Sequence, residues 1–231
     1  MIYLYSGTPG SGKSLHVARV IYYSLMRNMP VICNFPINQS FVRHPDKFRF
    51  IDNTDLHPDE LMQISRDYFG REKVKEGSLL LVIDECQMMF NARSWDKKDR
   101  EGWNKFFQIH RHFGFDVILV AQFDRMIDRQ IRSLIEYEQI HRKVSNFGVK
   151  GKFLCALLLS PHLFVAVKVW YPMKEKVGSE FFKATKRYYR LYDTYMLFDD
   201  ETQKADAAVL EAGEQGAPAS SAGTSDQLCN T

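Results

Sequence analysis

Residues 7–14, with the sequence GTPGSGKS, constrain the fold more than any other part of the chain. They match the pattern GxxxxGK[ST] at every position. The preceding segment, MIYLYS, has the composition of a strand, and apolar residues recur at helical spacing after the motif until Pro30. A strand, a glycine-rich turn and a helix in this order form a phosphate-binding loop, or P-loop. The motif therefore predicts an α/β fold with a nucleotide site after the first strand.

Strands and helices alternate along the chain up to about residue 136. The predicted strands are 31–34, 47–52, 78–85 and 115–122, and the predicted helices are about 57–69 and 103–112. The third and fourth of these strands are apolar almost throughout, which is typical of strands buried on both faces of a parallel sheet. We therefore predict a P-loop NTPase fold with a mainly parallel sheet flanked by helices.

The pattern changes after about residue 136, where apolar segments follow one another with only turns between them. We expect these segments to extend the sheet in antiparallel fashion. Residues 153–170 form the most apolar stretch and approach the length of a membrane span. The sequence SPH interrupts them, and Lys168 lies in their second half, so a β-hairpin is favoured over a membrane segment. Residues 181–195 are basic and aromatic and predict a helix or an arm.

The composition divides the chain into a P-loop ATPase domain, residues 1–198, and a tail, residues 199–231. The tail has few large apolar residues, so we expect it to be disordered. After position 200 it holds five acidic residues and one basic residue, while the whole chain carries a net charge of +3. Residues 1–200, here called the body, therefore carry +7. A basic body suits nucleic acid or an anionic membrane surface, although an ordinary solvated surface gives the same count.

The P-loop predicts a role for each of its residues. The expected nucleotide-binding residues are Gly7, Thr8, Pro9, Gly10, Ser11, Gly12, Lys13, Ser14 and Leu15. Lys13 is expected to bridge the β- and γ-phosphates, and the Ser14 hydroxyl to ligate Mg²⁺. ATP and Mg²⁺ are therefore the expected cofactors.

Three polar residues at strand ends are expected to complete the site. Asp84 and Glu85 end the apolar strand 78–85. Asp84 can hold Mg²⁺ through water, and Glu85 can polarise an attacking water as general base. Gln122 ends the next buried strand, where a polar side chain can sense the γ-phosphate. An ordinary acidic strand end would produce the same pattern, but its pairing with a P-loop favours catalysis.

Phosphoryl transfer also uses arginine to stabilise charge in the transition state. Arg111, Arg125, Arg129 and Arg132 are candidates that a subunit could supply to its neighbour. We select Arg132 as the predicted catalytic arginine and Arg111 as its alternative, although each alone could be a surface charge.

Four segments in order resemble one family. They are IYLYSGTPGSGKSLHV, VICNFPI, LLVIDECQMMF and HRHFGFDVILVAQ. This series is similar to the zonular occludens toxin (Zot)-like family, the assembly and export ATPases of filamentous bacteriophages. The last segment is the most discriminating, because P-loop enzymes at large share the others. The resemblance covers residues 1–135 well and residues 136–198 loosely.

The resemblance implies an ATPase domain at the cytoplasmic face of the host inner membrane. Family members use ATP to drive extrusion of the phage, so it implies phage assembly proteins and the complex of single-stranded DNA with protein as partners. Assembly into a homo-oligomer is also expected. Relatives carry a transmembrane helix after the ATPase domain, and membrane attachment is expected here through a segment outside this chain or through a partner.

Three other functions share some of these features. A DNA-packaging or conjugation ATPase would use the same site residues. A small-molecule kinase would also have a P-loop, but Glu85 beside Asp84 and the lack of an arginine-rich lid segment argue against it. A non-catalytic nucleotide-binding scaffold would not need intact Lys13, Ser14, Asp84 and Glu85.

Overall fold

The computed structural model describes residues 1–70, 73–91, 97–149, 151, 153 and 162–192. Eight strands lie in these ranges: β1 (Ile2–Ser6), β2 (Val31–Cys33), β3 (Phe48–Phe50), β4 (Leu79–Ile83), β5 (Phe115–Val120), β6 (Tyr137–Lys143), β7 (Leu163–Trp170) and β8 (Glu175–Lys183). They form one sheet in the order β3-β2-β4-β5-β1-β6-β7-β8. The first six strands of this order are parallel, whereas β7 pairs antiparallel with β6 and with β8. The predicted fold class is confirmed.

The described part of the chain contains five α-helices. They are α1 (Lys13–Met26), α2 (Pro58–Phe69), α3 (Lys97–Ile109), α4 (Arg129–Arg132) and α5 (Lys186–Leu191). Pro58 at the first position of α2 has the fixed φ that a helix start requires, and Asp59 and Glu60 place negative charge at the positive end of the helix. Gly70, with φ 70°, ends the same helix. The helix predicted at about 57–69 is confirmed. The one predicted at about 103–112 begins earlier, at Lys97, and ends at Ile109, after which residues 110–113 form a 3-10 helix.

The central strands form the core. Every residue of β4 is buried, as the apolar segment predicts. Leu79, Leu81 and Ile83 join a cluster that also contains Phe106 and Phe107 of α3, while alternate residues of the strand are buried on the face that α1 contacts. Burial of each such side chain contributes about 1.5–3 kcal/mol. This packing holds the ends of β1, β4 and β5 at fixed positions.

The extension after residue 136 differs in detail from the prediction. β6 joins β1 in parallel, with Tyr3 beside Tyr137, so the antiparallel part begins with the β6–β7 pair. The strand predicted in the second half of 153–170 is β7, while residues 154–161, the first half of the predicted hairpin, lie outside the described residues. Residues 181–183, predicted as helix or arm, belong to β8, and among the described residues of that segment 186–191 are helical. The sequence EKVGSEFFK gave no apolar alternation by which β8 could be recognised.

Two further predictions concern the membrane and the tail. Of the helices in the described ranges, none has both the length and the apolar composition needed to span a membrane. The predicted acidic tail, residues 199–231, lies outside the described residues.

Candidate functional site

The P-loop connects the end of β1 to the start of α1, and its glycines are sterically required. Gly7, Gly10 and Gly12 have positive φ angles of 144°, 72° and 97°. A Cβ on Gly7 would lie 2.6 Å from the His141 carbonyl oxygen, and one on Gly12 would lie 2.6 Å from the Phe164 ring. At Gly7 and Gly12 only glycine combines a positive φ with such close contacts, whereas Gly10 is favoured by its φ angle alone. β6 and β7, which supply His141 and Phe164, therefore support the loop.

The lysine of the motif lies against the loop. Lys13 Nζ donates hydrogen bonds to the carbonyl oxygens of Gly7, at 2.7 Å, and Thr8, at 3.3 Å. Loss of solvent lowers the pKa of Lys13, while the negative charges of Glu85 and Asp84 raise it. The ammonium group of Lys13 thus lies within the electrostatic field of Asp84 and Glu85, the two carboxylates predicted to belong to the site.

The loop is built to accept an anion. No side chain caps the amino end of α1, so the N–H groups of its first turn are available to phosphate oxygens. The hydroxyl of Ser11 is buried and has no hydrogen-bond partner in the described part of the chain. Thr8, Pro9 and Gly10 are exposed, whereas the side chain of Leu15 is buried in the core. These features fit a bound triphosphate, with Leu15 limited to contact through its backbone.

Asp84 and Glu85 follow β4 at the edge of the sheet where β1, β4 and β5 end, here called the carboxyl edge. The N–H of Glu85 donates to Asp84 Oδ1 at 2.8 Å. Glu85 has a φ of 46°, its side chain is exposed, and one of its carboxylate oxygens accepts a hydrogen bond from Gln87. The left-handed turn therefore directs the chain away from the strand directly after Asp84.

Two residues that the sequence analysis did not select hold Asp84. Asn34, at the end of β2, donates to the Asp84 carbonyl at 2.9 Å and accepts from its N–H at 2.7 Å. The Tyr192 hydroxyl donates to Asp84 Oδ2 at 2.5 Å. The sequence contains a signal for Asn34, because it is a polar residue directly after the apolar strand β2, as Asp84 is after β4. Tyr192 had none, because 108 residues separate it from Asp84.

The environment of Asp84 shifts its pKa in opposing directions. Loss of solvent raises the pKa, whereas hydrogen bonds from Tyr192 and from the Glu85 N–H lower it, and the result is a raised value. Burial raises the pKa of Tyr192, which keeps its proton and its role as donor. Asp84 and Ser14 offer the oxygen donors that Mg²⁺ takes in proteins, so the residues present fit this ion.

Gln122 also lies beside the P-loop. It follows β5, and its main-chain carbonyl oxygen accepts a 3.3 Å hydrogen bond from the N–H of Gly7. With Gly7, Thr8, Phe123 and Arg142, among other residues, it lines a cavity of about 460 Å³. The structure thus brings the predicted sensor next to the first residues of the phosphate loop.

The two preferred arginines lie in different places. Arg132 is half-buried at the end of α4, the short helix that follows the β5 end of the sheet. Arg111 lies at the opposite edge, where its guanidinium is 2.7 Å from Glu136 and 3.3 Å from Glu76. Arg111 is therefore distant from the P-loop of its own subunit, and Arg132 stays a prediction.

The chain is similar in sequence to a known protein family. The family model of zonular occludens toxin (Zot) matches residues 1–196. The Gene 1 protein of Escherichia phage If1 is 27% identical over 224 residues, which cover 90% of this chain and 62% of that protein. The chain spans less than two thirds of the length of the curated relatives it matches first.

Solved structures agree on the fold. The N-terminal domain of zonular occludens toxin from Neisseria meningitidis superposes with a TM-score of 0.53 at 20% identity, covering 83% of this chain and 98% of that one. B204, the DNA-packaging ATPase from Sulfolobus turreted icosahedral virus, superposes with a TM-score of 0.50 at 15% identity, covering 80% and 97%. The resemblance predicted from four sequence segments is confirmed, and the chain belongs to the Zot family.

Proposed function

We propose that this chain binds ATP with Mg²⁺, hydrolyses it, and serves as the motor domain for assembly and export of a filamentous phage. The observation that carries the proposal is the complete P-loop after β1, with Asp84 and Glu85 at the same edge of the sheet after β4, which β5 separates from β1. Lys13 would contact the β- and γ-phosphates, and Ser14 and Asp84 would hold Mg²⁺, which neutralises charge on the phosphates when bound.

Glu85 is the proposed general base. Its side chain is exposed beside the loop, and the Gln87 side chain holds one of its carboxylate oxygens. A carboxylate placed in this way can orient a water and accept its proton. Gln122 would report the presence of the γ-phosphate through its side chain, and the hydrogen bond from the Gly7 N–H to its main-chain carbonyl holds the residue beside the loop.

The biological role is supported by the family and by the similarity to Gene 1 proteins of filamentous phages. We propose that the chain acts at the cytoplasmic face of the host inner membrane, attached through a further segment or a partner. Phage assembly proteins and the complex of single-stranded DNA with protein are the proposed partners. The basic body, with a charge of +7, supports contact with a polyanion.

Glu85→Gln tests the proposed enzyme. The substitution preserves the shape of the side chain and removes the base, so ATP binding should persist while phosphate release falls about 100-fold or more. Glu101→Gln, an exposed change on α3, is the matched control and should behave as wild type. Hydrolysis by Glu85→Gln at the wild-type rate would contradict the role of Glu85. Phosphate release measured with and without single-stranded DNA tests coupling to the partner.

A homo-oligomer would allow Arg132 to serve the site of a neighbouring subunit. Such an arginine can raise turnover by about 10³-fold. Specific activity should then increase with protein concentration, and Arg132→Ala should abolish the increase. Turnover per subunit over a dilution series, with sedimentation in parallel, checks this. A constant rate from a protein that stays monomeric would contradict the shared site.

A further inference from the structure

Tyr192 connects the C-terminal helix to the end of β4. The residue directly follows α5, and its hydroxyl donates a 2.5 Å hydrogen bond to Asp84 Oδ2. The Ser14 side chain interacts with the same hydroxyl and counteracts the rise in the pKa of Tyr192 that burial causes. Ser14 and Asp84 are the two side chains assigned above to Mg²⁺, so a single phenol bridges both proposed metal ligands.

Several contacts place Tyr192 at this position. Its ring packs edge-on against Phe35, with 4.7 Å between ring centroids. Leu191, which precedes it, is fully buried, and the carbonyl of Leu191 accepts a 3.0 Å hydrogen bond from the N–H of Asn38. Arg187 donates at 2.9 Å to the hydroxyl of Tyr22 on α1. The phenol is therefore held by packing on both α1 and the segment after β2.

The phenol and a Mg²⁺-bound water would both donate a hydrogen bond to Asp84 Oδ2. Mg²⁺ requires a near-octahedral set of oxygens at about 2.0–2.1 Å and keeps several waters. A carboxylate oxygen that accepts a short hydrogen bond from Tyr192 has a lone pair committed to that bond.

We propose that Tyr192 is a positioning residue that holds Asp84, and that binding of a Mg²⁺–nucleotide displaces its hydroxyl from Asp84 Oδ2 and loosens α5. This inference rests on the proposed function. The Tyr192–Asp84 hydrogen bond and binding of the metal–nucleotide therefore compete. The free energy of the hydrogen bond weakens binding of the metal–nucleotide, and bound metal–nucleotide weakens the hydrogen bond by the same amount.

Tyr192→Phe tests the competition, because phenylalanine keeps the ring against Phe35 and removes only the hydroxyl. A fluorescent ATP analogue, N-methylanthraniloyl-ATP, is titrated into the full chain in excess Mg²⁺ and separately in EDTA. We expect Tyr192→Phe to bind the analogue about threefold to tenfold more tightly than wild type in Mg²⁺, which corresponds to the net free energy of one hydrogen bond to a charged group. In EDTA we expect no change in affinity. Tyr189→Phe, the same substitution at an exposed position of α5, should match wild type in both.

Hydrogen exchange in the wild-type chain supplies a readout that needs no variant. Amides of residues 186–192 should exchange faster when Mg²⁺ and a non-hydrolysable ATP analogue are added together, and should not change with the analogue in EDTA. Unchanged or slower exchange with Mg²⁺, or Tyr192→Phe binding no tighter than wild type, would overturn this inference alone. A wild-type chain that binds no nucleotide would overturn the proposed function and this inference with it.

Discussion

The two edges of the central sheet both concentrate charge, but they satisfy it in different ways. At the amino edge, where β1, β4, β5 and β6 begin, the charges pair with one another. The amino group of Met1 lies 3.0 Å from Glu76 and 2.8 Å from Asp116, and Arg111 lies 2.7 Å from Glu136. Opposite charges in contact leave little residual attraction for a further ligand.

At the carboxyl edge the charged groups meet neutral partners instead. The ammonium of Lys13 donates to backbone carbonyls, and the carboxylates of Asp84 and Glu85 accept from a phenol and an amide. The pKa of Lys13 is lowered and that of Asp84 is raised, in each case first by loss of solvent. Charges that are partly desolvated and paired with neutral groups mark functional sites more often than mutually paired charges do. The contrast separates a structural cluster from a site prepared for a charged ligand.

Removal of one cation from each edge is the strongest test of this contrast. Lys13→Ala should weaken nucleotide binding about 100-fold, because a charge-assisted contact with phosphate is lost. Arg111→Ala should leave affinity unchanged, since Arg111 lies at the other edge. Equilibrium titration with a fluorescent ATP analogue in Mg²⁺ gives both values. Equal losses in the two variants would remove the distinction, and loss of hydrolysis alone in Arg111→Ala would instead support its role as the catalytic arginine of a neighbouring subunit.

Sequence patterns reveal one part of the carboxyl edge and not the other. The P-loop is contiguous, and Asp84, Glu85 and Gln122 each follow an apolar strand, so chain-local patterns suffice to place them at one edge of a parallel sheet. Tyr192 reaches Asp84 only because α5 packs on α1, and that packing depends on tertiary contacts without a local signature. The strand β8 escaped prediction for a similar reason, because most of its side chains are exposed and do not alternate.

The glycines of the P-loop allow a matched comparison within the carboxyl edge. Gly12→Ala should destabilise the protein by about 2–3 kcal/mol, since its Cβ would meet the Phe164 ring at 2.6 Å and its φ is positive. Gly10→Ala meets no atom within 4 Å and should cost about 1 kcal/mol from backbone strain alone. Urea unfolding of both variants measures the difference. Equal destabilisation would mean that β7 does not support the loop.

Buried histidines beneath the P-loop give the carboxyl edge a distinctive response to acid. His16 Nδ1 lies 2.8 Å from His141 Nε2, and both rings pack on Tyr5. Burial lowers the pKa of His16 to about 4 and that of His141 to about 3, while Arg19 also lowers the former. Glu180 Oε2 is 3.8 Å from His16 Nε2. The folded protein therefore keeps both rings neutral at pH values where the unfolded chain is protonated.

The consequence is a loss of stability in mild acid. The folded pKa values lie below the ordinary value of about 6.5, so the unfolded chain takes up protons before the folded protein does as the pH falls. The free energy of unfolding is therefore fully retained above pH 6.5 and declines as the pH falls towards 4. The decline should reach about 2 kcal/mol for each histidine at pH 5, and therefore about 4 kcal/mol for the pair. Urea unfolding at pH 8 and pH 5 measures it. His141→Gln should reduce the pH dependence and the exposed control His112→Gln should not; an unaltered dependence in His141→Gln would assign it to other groups.

The amino edge should show the smallest effect. Arg111 is about half exposed, and its pairs with Glu136 and Glu76 are accessible to solvent, so water and salt screen them. Arg111→Ala should therefore cost between zero and about 1 kcal/mol of unfolding free energy, and the cost should shrink further in 1 M NaCl. Urea unfolding at low and high salt gives both numbers, with exposed Lys105→Ala on α3 as control. A loss of unfolding free energy well above 1 kcal/mol that persists in salt would mean that this charge cluster stabilises the starts of the strands as strongly as apolar packing does. The two edges would then differ in ligand binding but not in their contribution to stability.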